Sequence, residues 1–374
     1  MLINRALEGA RLLRLDNLLL RRRSRAASRA PLIIVPGMFG TRLVDGAGQL
    51  LWGSTAALYR GPAIGAAEGV RSDGLLEALQ LVPGLAQVDI QGSLLRFLEG
   101  VGGYRRGEDL ICLDYDWRAG AQAGAEALAG VVQRVRGASD EKVDLFAIST
   151  GGQVARHFVA AQGEAVRRVV YLGAPQRGTF DALACLHRGF RFAPGGKLFP
   201  AGDAALAQST VDALPFGEPV FVDEGGSPVP LDLYDEKTWR DTGLGSVTQA
   251  RLTKARAAHE ALARAPHAPE AFVLGGRHLP TPSRVVLVRG KARVPPAAPR
   301  PDDPFVGFSY TPGDGELSAS SLRALPGLDE KRLWWVKSAA HGRMPADPLV
   351  HRLAVEALLA TSRHIPATKL PDRS

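Results

Sequence analysis

The chain has 374 residues, of which 45% are hydrophobic and 22% are charged. This balance is typical of a globular protein, and the length allows one large domain with insertions or two ordinary domains. No apolar run is long enough to predict a membrane-spanning helix. The net charge of +8 is concentrated in residues 1–30, where eight arginines stand against Glu8 and Asp16 and account for +6. A basic terminal arm differs from the basic folded face of a nucleic-acid-binding protein, so we expect no nucleic-acid partner.

Residues 1–30 form a basic arm in which apolar residues stand between the arginines. The pattern predicts an amphipathic helix followed by a polar linker. A signal peptide is not expected, because Arg11, Arg14 and Asp16 interrupt the apolar stretch. Two interpretations remain open: the arm lies on an anionic membrane surface, or it packs on its own domain or is a loosely ordered terminus.

The cysteines and glycines bear on the compartment and on cofactors. Cys112 and Cys185 cannot form a disulfide framework, so a reducing compartment is favoured. We expect a cytoplasmic protein, peripheral to the membrane if the arm binds lipid. No Cys/His cluster has metal-ligand spacing, and no glycine-rich nucleotide loop follows the first predicted strand. The sequence therefore predicts no metal and no cofactor.

Short apolar runs alternate with helical patterns along the chain. Helices are predicted at about 121–136, 150–162, 245–265 and 347–361. Most of the runs are apolar throughout, as in parallel strands covered on both faces. The alternation predicts an α/β protein with a mostly parallel, doubly wound sheet. The predicted strands are Leu32–Val35, Leu110–Leu113, Val143–Ile148, Arg168–Leu172, Arg284–Val288 and Leu333–Val336.

Two stretches do not fit this alternation. Residues 53–105 lie between the first two predicted strands, and residues 178–275 form a longer stretch with Gly/Pro clusters. Both resemble insertions over one end of the sheet more than independent domains. We therefore expect residues 31–374 to form a single domain with two insertions, preceded by the basic arm.

The strongest chemical signal is the segment from Val143 to Gly152, in which a predicted strand runs directly into a helix through Ala-Ile-Ser149-Thr-Gly. A tight turn of this form is the nucleophile elbow, where small residues flank an exposed serine at strained backbone angles. The serine then lies at the positive end of the following helix. A structural strand-to-helix junction is the alternative for this motif taken alone.

A nucleophilic serine needs a base, and the base needs an acid to orient it. On an elbow of this kind they follow in the order serine, acid, histidine. His341 opens a turn directly after the last predicted strand, where such a histidine should lie. Asp314, which stands between two glycines before His341, is the predicted acid, and Glu316, Asp302 and Asp303 are weaker alternatives. An ordinary turn with no catalytic role is the other interpretation of Asp314.

An acyl-transfer site also needs N–H donors for the oxyanion. The residue after the nucleophile, Thr150, is expected to supply one amide. The loop after the first strand runs Pro36-Gly-Met38-Phe-Gly40, which makes the Met38 amide the best second candidate. A plain glycine-rich turn is the alternative interpretation of that loop.

These motifs together resemble the lecithin:cholesterol acyltransferase family, which includes lysosomal phospholipase A2 and phospholipid:diacylglycerol acyltransferases. The resemblance covers roughly residues 31–355 and rests on segments that occur in the family's order. They are IIVPGMFGTRL, the following Leu51-Trp52, YRRGEDLICLDYDWR, FAISTGG, LGAPQRGT, PGDGELSASS and HGRMPADP.

The resemblance implies an α/β-hydrolase fold with a lid at about 53–105 and a cap at about 178–275. It implies a Ser149–Asp314–His341 triad with the Met38 and Thr150 amides as oxyanion hole. Phe39 and Trp52, in the matching segments, are expected to bind substrate. The chain departs from the family at Ile148, which replaces a histidine, and at Gly313-Asp-Gly-Glu-Leu-Ser318, where the family has GDGTVP.

The sequence thus predicts serine-dependent acyl transfer from a lipid ester through an acyl-enzyme, as an O-acyltransferase or as a lipase or phospholipase. Hydrolysis and transfer share the acyl-enzyme, so the sequence leaves that choice open. Two alternatives remain. One is a carboxylesterase or thioesterase acting on small soluble esters, and the other is a non-catalytic binding protein with the same fold.

Overall fold

The computed structural model describes residues 15–60, 64–82, 85–191, 199–267, 269–337 and 340–360. The first half of the basic arm, residues 1–14, lies outside the described residues, as does the tail from residue 361. No helix within the described ranges is long and apolar enough to cross a membrane.

The strands are short, and many lie outside the central sheet. In chain order they are β1 (Leu32–Val35), β2 (Thr41–Val44), β3 (Leu50–Trp52), β4 (Arg71–Leu75), β5 (Ala78–Val82), β6 (Ala86–Asp89), β7 (Leu110–Cys112), β8 (Val143–Ile148), β9 (Val166–Leu172), β10 (Phe221–Val222), β11 (Glu270–Gly275), β12 (Leu279–Pro282), β13 (Val285–Val288), β14 (Lys291–Arg293), β15 (Tyr310–Gly313) and β16 (Leu333–Trp335).

The helices cover the sheet and fill the second insertion. They are α1 (described over residues 15–26), α2 (Thr55–Arg60), α3 (Gly92–Gly100), α4 (Ala121–Arg136), α5 (Gly151–Gln162), α6 (Phe180–Arg188), α7 (Ala201–Leu206), α8 (Gln208–Asp212), α9 (Glu236–Thr242), α10 (Gln249–Arg264), α11 (Val306–Ser309), α12 (Ala319–Arg323) and α13 (Pro348–Leu359). A 3₁₀ helix, His341–Ala346, precedes α13.

Six strands pair in parallel in the order β16-β11-β9-β8-β1-β7. The prediction of a doubly wound, mostly parallel sheet is confirmed. One predicted strand forms but does not belong to the central sheet. Residues Val285–Val288 pair with β10 and β14 in a separate three-stranded sheet. The position next to β9 is taken by β11, which the sequence analysis assigned to an insertion.

The continuous apolar runs in the strands have a direct cause, since both faces of the sheet are covered. On one face Ile33, Leu145 and Val169 belong to a buried cluster with α4 and α5. On the other face Ile34 and Phe146 belong to a cluster with α3 and α13. Alternate residues of each strand therefore point into two different apolar layers.

The first insertion contains α2, β4, β5, β6 and α3. Its strand β4 extends the small sheet of β2 and β3, and β5 pairs with β6. Arg118, which is paired with Asp116 at 2.7 Å, donates to the carbonyl of Ala67 at 2.9 Å and so fastens this insertion to the end of β7. Helix α3 departs from the prediction, because it covers the sheet itself and does not lie over its end.

The second insertion has an apolar core of its own. Trp239, Phe221 and Leu252 are fully buried in a cluster built from α6 to α10 together with β10 and β13. The insertion was predicted to run to residue 275, but it ends before Glu270, because Glu270–Gly275 is strand β11 of the central sheet. The chain then leaves the sheet again, and Val285 of β13 completes the insertion's core.

Helix α1 packs against the domain by one side. Leu20 is 3% exposed and joins the apolar cluster of α3 and α13. Asp16 accepts a hydrogen bond from Arg352 of α13 at 3.0 Å. The outward side of the helix presents Leu15, Leu18 and Leu19, each about 60% exposed.

Candidate active site

Ser149 lies at the junction of β8 and α5 with a φ angle of 51°. This left-handed backbone is strained for a residue with a Cβ atom, and it turns the side chain out of the strand direction. The turn is held by a hydrogen bond from the Ser149 amide to the carbonyl of Leu172 at 2.9 Å. A Cβ on Gly151 would lie 2.3 Å from the carbonyl oxygen of Val35, so only glycine fits there.

The structure brings Ser149, His341 and Asp314 together. The Ser149 Oγ lies 3.0 Å from Nε2 of His341, and Nδ1 of His341 lies 3.0 Å from Oδ2 of Asp314. His341 begins the 3₁₀ helix beyond β16, and Asp314 follows β15 of a two-stranded sheet. A Cβ on Gly173 would lie 3.0 Å from Cε1 of His341, so the imidazole ring packs directly on this glycine.

Asp314 is fully buried, and its carboxylate is held on both oxygens. The amides of Glu316 and Leu317 donate to Oδ1 at 3.0 and 2.7 Å, which leaves Oδ2 for His341. The His341 amide also donates to the backbone carbonyl of Asp314 at 3.0 Å. The acid therefore fixes both the backbone and the ring of the histidine.

The charge around His341 is strongly negative. Burial lowers the pKa of His341, but the carboxylates of Asp314 and Glu316 outweigh burial and raise that pKa to about 9. The surrounding carboxylates therefore favour the protonated form of the imidazole. As a base for Ser149 it has to lose that proton first, which favours alkaline conditions.

The two amides predicted to bind the oxyanion, those of Met38 and Thr150, lie in adjacent loops, and the Met38 amide already makes a hydrogen bond. The Met38 amide donates to Oγ1 of Thr150 at 2.7 Å. Gly37, just before Met38, allows this approach, because a Cβ there would lie 2.9 Å from the Ser149 Cβ and 3.3 Å from the Thr150 amide nitrogen. The loop after β1 therefore lies against the serine turn, as the prediction of an oxyanion site requires.

A cavity of about 210 Å³ opens at Ser149. Its wall includes His341, Met38 and Thr150, and its apolar part includes Phe39 and Ile148, the latter at the position where the family has histidine. Both insertions contribute to the lining. The first supplies Val88, Ile90 and Gln91, and the second supplies Thr179, Asp181 and Phe190 among others.

The two predicted substrate contacts have different positions. Phe39 lines the cavity, with a φ angle of 64° and its ring stacked on Phe190 at 5.5 Å. The structure does not place Trp52 in the cavity wall, and this side chain is 4% exposed. Trp52 packs behind Phe39 at 4.9 Å and donates to its carbonyl, so it supports the wall from the rear.

Two further acids lie in this cavity. Glu316, an alternative acid in the sequence analysis, has Oε2 at 3.8 Å from Nε2 of His341. Asp181, in the first turn of α6, also lines the cavity and was not predicted, since no motif marks it. Asp303, another alternative, pairs with Arg293 at 2.7 Å and has no part in this cluster. Within the described residues, no group of three or more His, Cys, Asp or Glu side chains is arranged to hold a metal ion.

Comparison with known proteins gives one family and several structures. Residues 60–194 match the family model described as lecithin:cholesterol acyltransferase. This region contains Ser149 and Thr150, whereas Met38, Asp314 and His341 lie outside it. No curated protein sequence matches the chain.

Among solved structures, a chain of the Tle4–Tli4 complex is similar with a TM-score of 0.63 and 16% identity, over 88% of this chain and 98% of that chain. The mature lipase BlEst2 of Bacillus licheniformis has a TM-score of 0.37 and 14% identity, over 86% and 92% of the two chains. The phospholipase PlaB of Legionella pneumophila has a TM-score of 0.36 and 12% identity, over 73% and 57%. The predicted resemblance to the lecithin:cholesterol acyltransferase family is confirmed by the match over residues 60–194, and the fold of the chain is that of an α/β-hydrolase.

Proposed function

We propose that this protein transfers an acyl group from a lipid ester through an acyl-enzyme on Ser149. The observation that carries the proposal is the pair of 3.0 Å contacts from Ser149 Oγ to His341 and from His341 to Asp314. A serine in this chain of contacts, at a strained turn and open to a cavity, has the arrangement of an activated nucleophile.

In the proposed reaction, Nε2 of neutral His341 accepts the Ser149 proton while Oγ attacks the ester carbonyl. The Met38 and Thr150 amides stabilise the negative oxygen that forms. The tetrahedral intermediate collapses, the ester C–O bond breaks, and the imidazolium gives its proton to the leaving alcohol. Water or another alcohol then loses a proton to His341 and attacks the acyl carbonyl. The bond from the acyl carbon to Ser149 Oγ breaks, the acid or new ester leaves, and His341 returns the proton to Oγ.

A lipid ester is supported by the family match of residues 60–194 and by the apolar part of the cavity. Val88, Ile90 and Leu317 offer side chains suited to an acyl chain. Hydrolysis and transfer to an alcohol proceed through the same acyl-enzyme. The proposal therefore covers the formation of the acyl-enzyme, and either water or an alcohol can accept the acyl group from it.

We also propose that the two insertions act as a lid and a cap on a single domain formed by residues 31–374. Each contributes side chains to the cavity wall at Ser149, which is the position from which such segments admit a substrate. Arg118, which is paired with Asp116 just after β7, donates a hydrogen bond to the carbonyl of Ala67 and so connects the first insertion to the central sheet.

A fluorophosphonate probe tests the nucleophile. We expect the protein to be labelled, Ser149→Ala to be unlabelled, and Ser139→Ala, which alters an exposed serine on another loop, to be labelled like the unaltered protein. Labelling of Ser149→Ala at the wild-type rate, or no labelling of the wild type, would reject the proposal in favour of a non-catalytic binding protein.

A series of p-nitrophenyl esters tests the substrate class. We expect the rate to rise with acyl length and in the presence of micelles, because longer chains bury more apolar surface in the cavity. A rate that falls with chain length would favour the small-ester or thioester alternative. Adding a long-chain alcohol and measuring the ester formed separates transfer from hydrolysis.

We further propose that α1 contacts an anionic membrane surface. Its outward side carries the exposed Leu15, Leu18 and Leu19, followed by exposed arginines in the next turns. Apolar side chains beside arginines are the composition of a helix that lies in a lipid interface. The inward side is anchored by Leu20 and by the Asp16–Arg352 pair, so the helix is held on the domain with the leucines facing away.

A further inference from the structure

A second carboxylate lies at the nitrogen of His341 that faces the nucleophile. Oε2 of Glu316 is 3.8 Å from Nε2, the same nitrogen that lies 3.0 Å from Ser149 Oγ. Asp314 occupies the opposite nitrogen at 3.0 Å. The imidazole ring therefore lies between two carboxylates, whereas orientation of the ring for base catalysis requires only the one at Nδ1.

The backbone that carries Glu316 is fixed on several sides. The Glu316 amide donates to Asp314 Oδ1 at 3.0 Å, and its carbonyl accepts from Thr179 Oγ1 at 2.6 Å. The neighbouring Gly315 amide donates to Thr281 Oγ1 at 2.9 Å. The other carboxylate oxygen, Oε1, lies over the backbone beside His341, 4.0 Å from the position of a Cβ on Gly342. The position of the Glu316 backbone thus follows from the fold of the loop.

A third acid faces the same group from helix α6. Asp181 lines the cavity, and its amide donates to the Thr179 hydroxyl that also binds Glu316. Desolvation raises the pKa of Asp181, and His341 and Arg188 oppose this effect. The charged groups that act on the imidazole are therefore Asp314, Glu316 and Asp181, with Arg188 as a counter-charge to the last of them.

We propose that Glu316 is a positioning residue that binds the protonated imidazole of His341 and so sets the pH at which Ser149 becomes reactive. This inference rests on the proposed function of Ser149. In the protonated ring, Nδ1–H donates to Asp314 and Nε2 also carries a proton, with the Glu316 carboxylate 3.8 Å away to stabilise the positive charge, so no lone pair is left for the serine proton. When the ring releases its Nε2 proton to solvent, that nitrogen accepts from Ser149 and the nucleophile forms.

Two effects on Glu316 agree with this arrangement. Desolvation of its carboxylate in the cavity raises the pKa of Glu316, and the nearby His341 cation lowers it. A carboxylate next to an imidazolium stabilises the charged ring, because an opposite charge at this distance favours the protonated form.

The rate of fluorophosphonate labelling, measured from about pH 6 to about pH 10, tests the inference without a known substrate. We expect the wild-type rate to rise with a midpoint at about 9, where the His341 ring loses its proton. In Glu316→Gln the midpoint should fall by about one pH unit, so labelling near pH 7.5 should be about tenfold faster. Glu330→Gln removes a distant, exposed carboxylate and should leave the midpoint unchanged.

Two further variants and a folding control make each result decisive. Glu316→Asp keeps the charge and should keep most of the high midpoint, whereas Glu316→Thr should shift it as Glu316→Gln does. Thermal unfolding checks that each variant is folded, and Glu316→Thr replaces Glu316→Gln if the latter is not. A midpoint unchanged in folded Glu316→Gln or Glu316→Thr overturns this inference while leaving the nucleophile in place. Absence of wild-type labelling at every pH overturns the proposed function instead.

Discussion

The amide of Met38 donates a 2.7 Å hydrogen bond to the side-chain hydroxyl of Thr150. The Met38 amide, one of the two donors proposed for the oxyanion, is therefore already paired. Its partner is the side chain of Thr150, and the backbone amide of Thr150 is the other proposed donor. The Thr150 hydroxyl thus orients the Met38 amide.

We expect Thr150→Val to lower kcat/KM about tenfold, less than the loss of a donor itself, because the Met38 amide loses its orientation. Thr150→Ser retains the hydroxyl and should remain within about twofold of the wild type. Kinetics on a p-nitrophenyl ester measure both. If Thr150→Val has the same kcat/KM as Thr150→Ser, the Thr150 hydroxyl has no role in positioning Met38.

Asp314→Asn should reduce kcat by about 10⁴-fold. Its Oδ1 is held by the amides of Glu316 and Leu317, so the new amide group would face His341 as a donor. The ring would then carry its proton on Nε2, where it cannot accept from Ser149. Asp302→Asn alters an exposed acid that was also considered for this role and should have wild-type activity. A similar loss in both variants would contradict the assignment.

Gly37→Ala should destabilise the fold by about 1–3 kcal/mol and abolish most fluorophosphonate labelling. The added methyl would lie 2.9 Å from both the Ile148 carbonyl oxygen and the Ser149 Cβ, so the serine turn has to move. Gly46→Ala is the matched control, since its Cβ would meet nothing within 4 Å. Chemical denaturation and labelling of the two variants measure the effect, and equal behaviour would show that the turn tolerates the displacement.

Protonation of His259 should lower the stability of the protein as the pH decreases from about 6.5 to about 4. Burial lowers the pKa of His259, which packs flat on Phe216 at 5.1 Å, to about 4. The unfolded chain therefore binds a proton in this range that the folded chain does not bind, and protonation favours unfolding. His259→Gln should reduce the slope of the unfolding free energy against pH, and His278→Gln, which alters an exposed histidine, should reduce that slope less. Urea titrations over this range measure both slopes, and equal slopes would contradict the role of His259.

Replacing Leu15, Leu18 and Leu19 together with serine should weaken binding to vesicles containing anionic lipid about tenfold or more, because three apolar side chains no longer enter the interface. Binding should also weaken as salt increases, since the arginines of α1 interact with lipid charge. Leu231→Ser alters an exposed leucine of the second insertion and serves as control. Vesicle co-sedimentation that is insensitive to both salt and the triple substitution would reject the membrane contact.

The sequence marked the turn at Ser149 more clearly than it marked the sheet to which each strand belongs, and the reason is local. The serine turn needs small residues at fixed positions, so Ser149 and Gly151 identify it without knowledge of the fold. Two apolar runs, Glu270–Gly275 and Val285–Val288, are nearly equivalent as patterns. Their different sheets are decided by long-range pairing with β9 and with β10, which no local pattern records.

Side-chain contacts across the cavity were beyond sequence reasoning for a similar reason. Trp52 belongs to a matching motif, but its ring packs behind Phe39, away from the cavity. Asp181 follows a motif without being part of it, and its place near His341 depends on how α6 begins. The engaged Met38 amide likewise depends on the rotamer of Thr150, which tertiary packing determines.

The two attachments of His341 to Asp314, one through the backbone amide and one through the ring, have a mechanical consequence. Acid and base are joined as a single body, while the serine belongs to the β8–α5 turn on another part of the chain. The orientation of the ring toward Ser149 is therefore set by one residue, and a change at Asp314 would alter the backbone and the side chain of His341 together.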